Sequence, residues 1–100
     1  MSQEQKFNHV HFIGIGGIGM SAVAEVMIER GYTISGSDLN ESDQVQMLRG
    51  RGATIYVPQR AENITDDIDL VVRSTAIQES NVEYQAAKAK GIPVINRSEM

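Results

Sequence analysis

Four of the chain's nine glycines fall within six residues, Gly14-Ile15-Gly16-Gly17-Ile18-Gly19. The run fits G-x-G-x-x-G. It follows His9-Val10-His11-Phe12-Ile13, a short apolar stretch that reads as a strand, and it opens Ile18–Arg30, which has helical periodicity. A strand–turn–helix of this kind sharply restricts the possible folds. The tight turn needs positive φ at some position, which glycine supplies. A side chain at the second glycine would hold the backbone away from a pyrophosphate, and the last glycine lets the helix approach the sheet. The helix start then offers free N–H groups and a positive dipole to phosphate oxygens. Gly16, Gly17, Ile18 and Gly19 are therefore the first candidate ligand residues. No G-x-x-x-x-G-K-[ST] occurs in the 100 residues, so the usual lysine cradle for ATP is missing from this sequence.

The rest of the chain continues the alternation. In the first helix Ser21, Glu25 and Glu29 form a polar stripe, with Ile18, Ala22, Val23, Val26 and Met27 on the other side. Gly31 takes the position after the helix. Tyr32–Ser35 reads as strand 2. Gln44–Arg51 reads as a helix capped by Ser42 or Asp43 and closed by Gly52. Thr54–Val57 is strand 3, stopped by Pro58, and a helical turn is expected around Ala61–Ile64. Asp69–Arg73 is strand 4. Ser80-x-x-Glu83 reads as a capping box opening a helix to about Lys90, followed by Gly91. Ile92–Asn96 is strand 5, with Pro93 suiting an edge. This alternation predicts a Rossmann-like three-layer α/β/α fold on a five-stranded parallel sheet of order 3-2-1-4-5. Ligands of such sheets bind outside the carboxyl ends of strands 1 and 4, where the winding reverses.

That topology adds further candidates. Asp38, 19 residues after Gly19 and just past strand 2, is placed to accept a ribose hydroxyl, with Ser37 beside it. Ser74, Thr75, Ala76 and Ile77 follow strand 4 and face the glycine loop. Arg73 ends the same strand, facing either the site or solvent. Gln59 and Arg60 follow strand 3 in a loop that could close over a base. His9 and His11 share one face of strand 1, but without a third ligand nearby they read as hydrogen-bonded strand residues and no metal site is expected. No catalytic constellation is expected either, because both histidines lie on one strand.

Composition narrows the function. The length bounds the chain to one domain. Thirteen acidic residues against nine basic ones give a net charge of −4, which argues against a nucleic-acid binder. No apolar run approaches the roughly 18–20 residues of a spanning helix, and no leader pattern is visible, so a cytoplasmic setting without membrane attachment is expected. The sequence has no cysteine, hence no disulfide framework. It stops at Ser98-Glu99-Met100, where Ser followed by Glu resembles a helix opening. Residues 1–100 are accordingly expected to be one N-terminal domain from the front of a longer chain.

Taken in order, His11-Phe12-Ile13-Gly14-Ile15-Gly16-Gly17-Ile18-Gly19-Met20-Ser21, Ala24-Glu25-Val26, Gly31-Tyr32 and Ser35-Gly36-Ser37-Asp38 resemble the opening motifs of the Mur ligase family. Gly52-Ala53-Thr54, Ala61-Glu62-Asn63, Ser74–Ile77, Pro93-Val94-Ile95 and Arg97-x-Glu99-Met100 continue the resemblance over nearly the whole chain. Gly17 and Ile18 at the motif's centre look closer to the branch that joins L-alanine to UDP-N-acetylmuramate than to the branch that adds a tripeptide. The resemblance implies a three-domain, ATP- and Mg²⁺-dependent, amide-forming ligase of peptidoglycan synthesis, working through an acyl phosphate. Its N-terminal domain docks the UDP part of UDP-N-acetylmuramate, and its ATP-binding domain lies downstream in the same chain. By that resemblance Gly16, Gly17, Ile18 and Gly19 meet the diphosphate and Ser37 and Asp38 the uridine. Ser74, Thr75, Ala76 and Ile77 line the diphosphate and amino-sugar side. The family commonly has His where this chain has Gln59. The fragment itself is expected to bind no cofactor and to be inactive alone. The glycine motif with Asp38 also allows an NAD(P)-binding module of an oxidoreductase or redox sensor.

Overall fold

The computed structural model describes residues 7–99, with Ile18 described by its backbone; the first six residues and Met100 lie outside the described residues. Five strands, β1 (His9–Ile13), β2 (Thr33–Ser37), β3 (Thr54–Tyr56), β4 (Leu70–Arg73) and β5 (Val94–Asn96), form one sheet of order β3-β2-β1-β4-β5. Every pairing is parallel. Helices α1 (Ile18–Glu29), α2 (Asp43–Gly50) and α3 (Val82–Ala89) fill the crossovers, and a single 3-10 turn, Ala61–Asn63, replaces a helix between β3 and β4. A second such turn, Arg97–Glu99, follows β5. The topology is the expected one. Among the described residues no helix is long and apolar enough to cross a membrane.

Strand alternation sorts the core into two layers. Val10, Phe12, Ile34, Leu70 and Val72 pack on one face with Met20 and Ala24 of α1 and Val45 and Leu48 of α2. Ile13 and Val71 pack on the other with Ile64, Ile68 and Ala87 of α3. The polar residues His9, His11, Ser35 and Ser37 share that second face.

Two local expectations need correction. The polar stripe of α1 does not face water as a unit: Ser21 is buried, while Ala22 and Val26 are exposed. Only three polar side chains fall in this 12-residue helix, so periodicity barely orients it; small Ser21 and Ala24, with Met20, allow close approach to the sheet. Ser80-x-x-Glu83 is not a capping box. Asn81 is the N-cap, accepting from the Glu83 and Tyr84 N–H groups at 2.8 and 3.3 Å. The Glu83 carboxylate goes to the interior instead.

Gly36, opposite Phe12 in the β1–β2 register, fixes the glycine loop to the core. A Cβ there would lie 2.6 Å from Ile15 Cδ1, 2.9 Å from Ile15 Cβ and 2.9 Å from the Phe12 carbonyl oxygen. Ile15 is fully buried, so the loop is pinned at its second residue. Two of those neighbours are parts of the scaffold that cannot swing aside. Gly36→Ala is therefore expected to destabilise the chain by about 1–3 kcal/mol, seen as a lower urea midpoint. An unchanged midpoint would mean the turn relaxes freely.

Candidate functional site

The carboxyl ends of β1, β2 and β4 converge at one edge. The Gly14 and Ile15 N–H groups both donate to the Ser37 carbonyl, at 2.9 and 3.0 Å, and the Gly17 N–H donates to the Gly14 carbonyl at 3.2 Å. Gly14 has φ +82°, the one residue of the run in the left-handed region. The other glycines serve space. A Cβ on Gly16 would stand 2.6 Å from Asp38 Oδ2 and 3.2 Å from Ser42 Oγ. The Gly16 N–H donates to that same Oδ2 at 2.7 Å, and the Leu39 N–H donates to Oδ1 at 2.8 Å. Asp38 therefore sits directly on the loop.

Helix α1 starts at Gly17 with no side-chain cap and no acidic residue in its first turn. By contrast Ser42 caps α2 by accepting from the Val45 N–H, and Asn81 caps α3. The first-turn amides of α1 have no partner within the helix, and its dipole favours an anion there.

Ser74–Ile77 closes the other side. A Cβ on Gly14 would lie 3.5 Å from both Ser74 Oγ and Ile77 Cδ1, so the two loops abut. Ser74 and Ile77 are half-buried, and Thr75 and Ala76 are exposed. Arg73 faces neither ligand edge nor open solvent. Its guanidinium stacks 4.8 Å from the Tyr84 ring centre and donates to the Ile77 carbonyl at 3.3 Å, bracing the loop from below.

Ser37 is placed differently from its neighbours. It is fully buried, and its hydroxyl donates to Glu83 Oε1 at 2.7 Å. Its part at the edge is its carbonyl, which receives the two loop amides. Arg97 was not singled out as a candidate, yet it belongs to this edge. Its Nε would lie 3.0 Å from a Cβ on Gly19, so the guanidinium rests against the start of α1. A basic residue directly after the last strand was the available signal.

Glu83 is the other residue missed. It is fully buried and accepts four hydrogen bonds. His11 Nε2 lies 2.7 Å from Oε1, which the Ser37 hydroxyl shares, and Oε2 accepts from the Arg60 N–H at 3.0 Å and Asn63 Nδ2 at 2.7 Å. Ser35 Oγ joins His11 Nδ1 to His9 Nε2, both at 2.8 Å, and His9 Nδ1 faces exposed Asp67 at 3.2 Å. Burial, the largest single influence on Glu83, pushes its carboxyl up; the His11 hydrogen bond and charge, with Ser37 and Asn63, outweigh it and hold the group below its ordinary value. The local Ser-x-x-Glu spacing offered a nearby explanation and hid this long-range role. Among the described residues no group of three or more His, Cys, Asp or Glu is placed to hold a metal ion.

The family model "Mur ligase family, catalytic domain" matches residues 9–100. A UDP-N-acetylmuramate–L-alanine ligase from Lachnoclostridium phytofermentans is 54% identical over 91 residues, covering 91% of this chain and 19% of the relative. A solved UDP-N-acetylmuramate-alanine ligase from Thermotoga maritima superposes with TM-score 0.87 at 40% identity, covering 91% of this chain and 21% of that one. A UDP-N-acetylmuramate:L-alanyl-gamma-D-glutamyl-meso-diaminopimelate ligase from Neisseria meningitides superposes with TM-score 0.82 at 26% identity, over 91% and 29%. The chain spans about a fifth of the length of the curated relatives it matches.

Proposed function

The chain belongs to the Mur ligase family, and from that premise we propose that it is the N-terminal docking domain of a cytoplasmic ligase that joins L-alanine to UDP-N-acetylmuramate with ATP. The observation that carries the docking role is the uncapped start of α1, set between Asp38 and the Ser74–Ile77 loop. In this reading the amides of Ile18 and Gly19 receive the diphosphate, as helix starts receive anions generally, and Gly17, whose own N–H closes the turn onto the Gly14 carbonyl, borders it without a side chain. Gly16 gives the approach its room. Asp38 turns toward the uridine, and Ser74, Thr75, Ala76 and Ile77 border the diphosphate and amino sugar. Ser37 contributes through the loop it holds. Arg97 adds positive charge beside the same amides.

The choice of branch rests on identity: among solved structures, 40% to an alanine ligase against 26% to the tripeptide ligase. ATP and Mg²⁺ find no fitting residues among those described. The sequence has no lysine-bearing phosphate loop, and among the described residues no acidic or histidine cluster suits a metal. In this reading these ligands belong to the downstream domain of a longer ligase.

Backbone amide signals should shift at Gly16–Gly19, Asp38 and Ser74–Ile77 when UDP-N-acetylmuramate is titrated into the chain. A parallel titration with NADH should leave them unmoved. Shifts confined to other regions, or a response to NADH alone, would overturn the docking assignment.

A further inference from the structure

The loop between β3 and β4 leaves the sheet beside Asp38, whose N–H donates to the Tyr56 carbonyl at 3.1 Å. It therefore begins at the uridine side of the proposed site, and the inference that follows rests on that reading. Its path is not held by apolar packing at its outer residues: Pro58, Arg60, Ala61 and Glu62 are all exposed. Polar straps hold it instead, and they converge on the first turn of α3. Asn81 Nδ2 donates to Gln59 Oε1 at 2.7 Å. The Arg60 N–H and Asn63 Nδ2 both donate to Glu83 Oε2. The other oxygen of Glu83 is tied to His11 of β1 and Ser37 of β2. One buried carboxylate thus joins the sheet beneath the glycine loop to the loop at the end of β3.

We propose that Glu83 is a positioning residue of the nucleotide site, latching residues 59–63 in place as the wall beside the uridine without touching the ligand itself. A carboxylate suits the task because it is acceptor-only, and all four groups around it are donors. Hydrogen bonds to a charged group are also stronger than neutral ones. Glutamine at position 83 keeps the volume, and its oxygen can still serve His11 and Ser37. Its NH₂ then faces two donors, so the Arg60 and Asn63 straps are lost. The glycine loop hangs on the Ser37 carbonyl and is left as it was.

The test compares the wild-type chain with Glu83→Gln, Asn63→Ala and the double variant Glu83→Gln/Asn63→Asp, titrated with UDP-N-acetylmuramate. Asn63→Ala removes one strap from the loop side and leaves the carboxylate with His11 and Ser37, so it tests the latch even if Glu83→Gln fails to fold. Glu83→Gln is expected to weaken binding about tenfold or more. Ligand-induced shifts should persist at Gly16–Gly19 and vanish at residues 59–63. Asn63→Ala should do the same more mildly. The double variant should recover part of the affinity, because the new carboxylate at position 63 accepts from the new amide at position 83; the Arg60 N–H stays unpaired. Unchanged affinity in a folded Glu83→Gln or Asn63→Ala variant would overturn the latch. So would a loss spread equally over both loops and not rescued by the second substitution, which would mark Glu83 as merely structural. If the wild-type chain binds no UDP-N-acetylmuramate, the docking function and the latch fall together, whereas binding that ignores these variants removes the latch alone.

Discussion

Replacing His11 with leucine should cost about 3–5 kcal/mol, the usual penalty for breaking a buried ion pair from one side. His11 and Glu83 are both fully buried, 2.7 Å apart. Leucine fills much of the space but leaves the carboxylate without its counter-charge, and leaves Ser35 Oγ with one partner fewer. A 100-residue domain holds only about 5–15 kcal/mol in total. Even a 3 kcal/mol loss should lower Tm by roughly 12–24 °C. The sign of the pH dependence separates this cause from a packing defect. In the native chain Glu83 titrates below its ordinary value of 4.5, so its stabilisation is present above that value and is lost as pH falls through the lowered one. In the variant the buried carboxylate keeps its Ser37, Arg60 and Asn63 donors but loses the His11 hydrogen bond and charge that offset its burial, so protonation is favoured. Its deficit relative to wild type should therefore shrink between pH 7 and pH 4. A second substitution, Glu83→Leu, should restore part of the stability of His11→Leu by removing the stranded charge. The restoration is incomplete because Ser37, Asn63 and the Arg60 N–H lose their acceptor. A deficit independent of pH would mean that the pair is not charged.

The sheet was readable from the sequence because its determinants are local and repeated. The apolar runs, Gly31, Gly52 and Gly91 after the helices, and the glycine loop all signal within a few residues. The two histidines of β1 were legible as hydrogen-bonded strand residues for the same reason: period-two alternation puts His9 and His11 on one face. What they bond to was not legible. Ser35 is 24 residues from His11, and Glu83 is 72. No local pattern announces such partners, and the Ser-x-x-Glu spacing actively suggested another role for Glu83. Ser37 illustrates the same limit at the site. Its neighbour Asp38 points onto the glycine loop, while alternation turns Ser37 to the interior face. Register decides this, and register is a property of the assembled sheet. Arg97 lay in plain view after β5, but its approach to Gly19 depends on how the last strand pairs.

Gly16→Val should remove most nucleotide affinity while leaving the chain folded. The Cβ at this position meets Asp38 Oδ2 at 2.6 Å, Ser42 Oγ at 3.2 Å and Asp38 Cγ at 3.3 Å. All three belong to side chains at the edge, so the branched residue is accommodated by expelling the carboxylate rather than by moving the sheet. That expulsion breaks the 2.7 Å bond from the Gly16 N–H and leaves Asp38 without its anchor on the loop. It also crowds Ser42, whose hydroxyl caps α2, so a small stability loss is expected alongside. The valine methyls then occupy the approach to the first-turn amides of α1. Loss of charge-assisted hydrogen bonds of this kind corresponds to about 1.5–3 kcal/mol, or roughly 10–100-fold in affinity for UDP-N-acetylmuramate. Gly17→Ala is the informative partner, because a Cβ there meets nothing closer than 3.6 Å and has an ordinary backbone to sit on. The protein tolerates it, so any affinity it loses measures how closely the ligand approaches the loop. If both variants fold and both keep wild-type affinity, the diphosphate is held somewhere other than the start of α1. If Gly16→Val alone fails, the carboxylate of Asp38 matters more than open backbone.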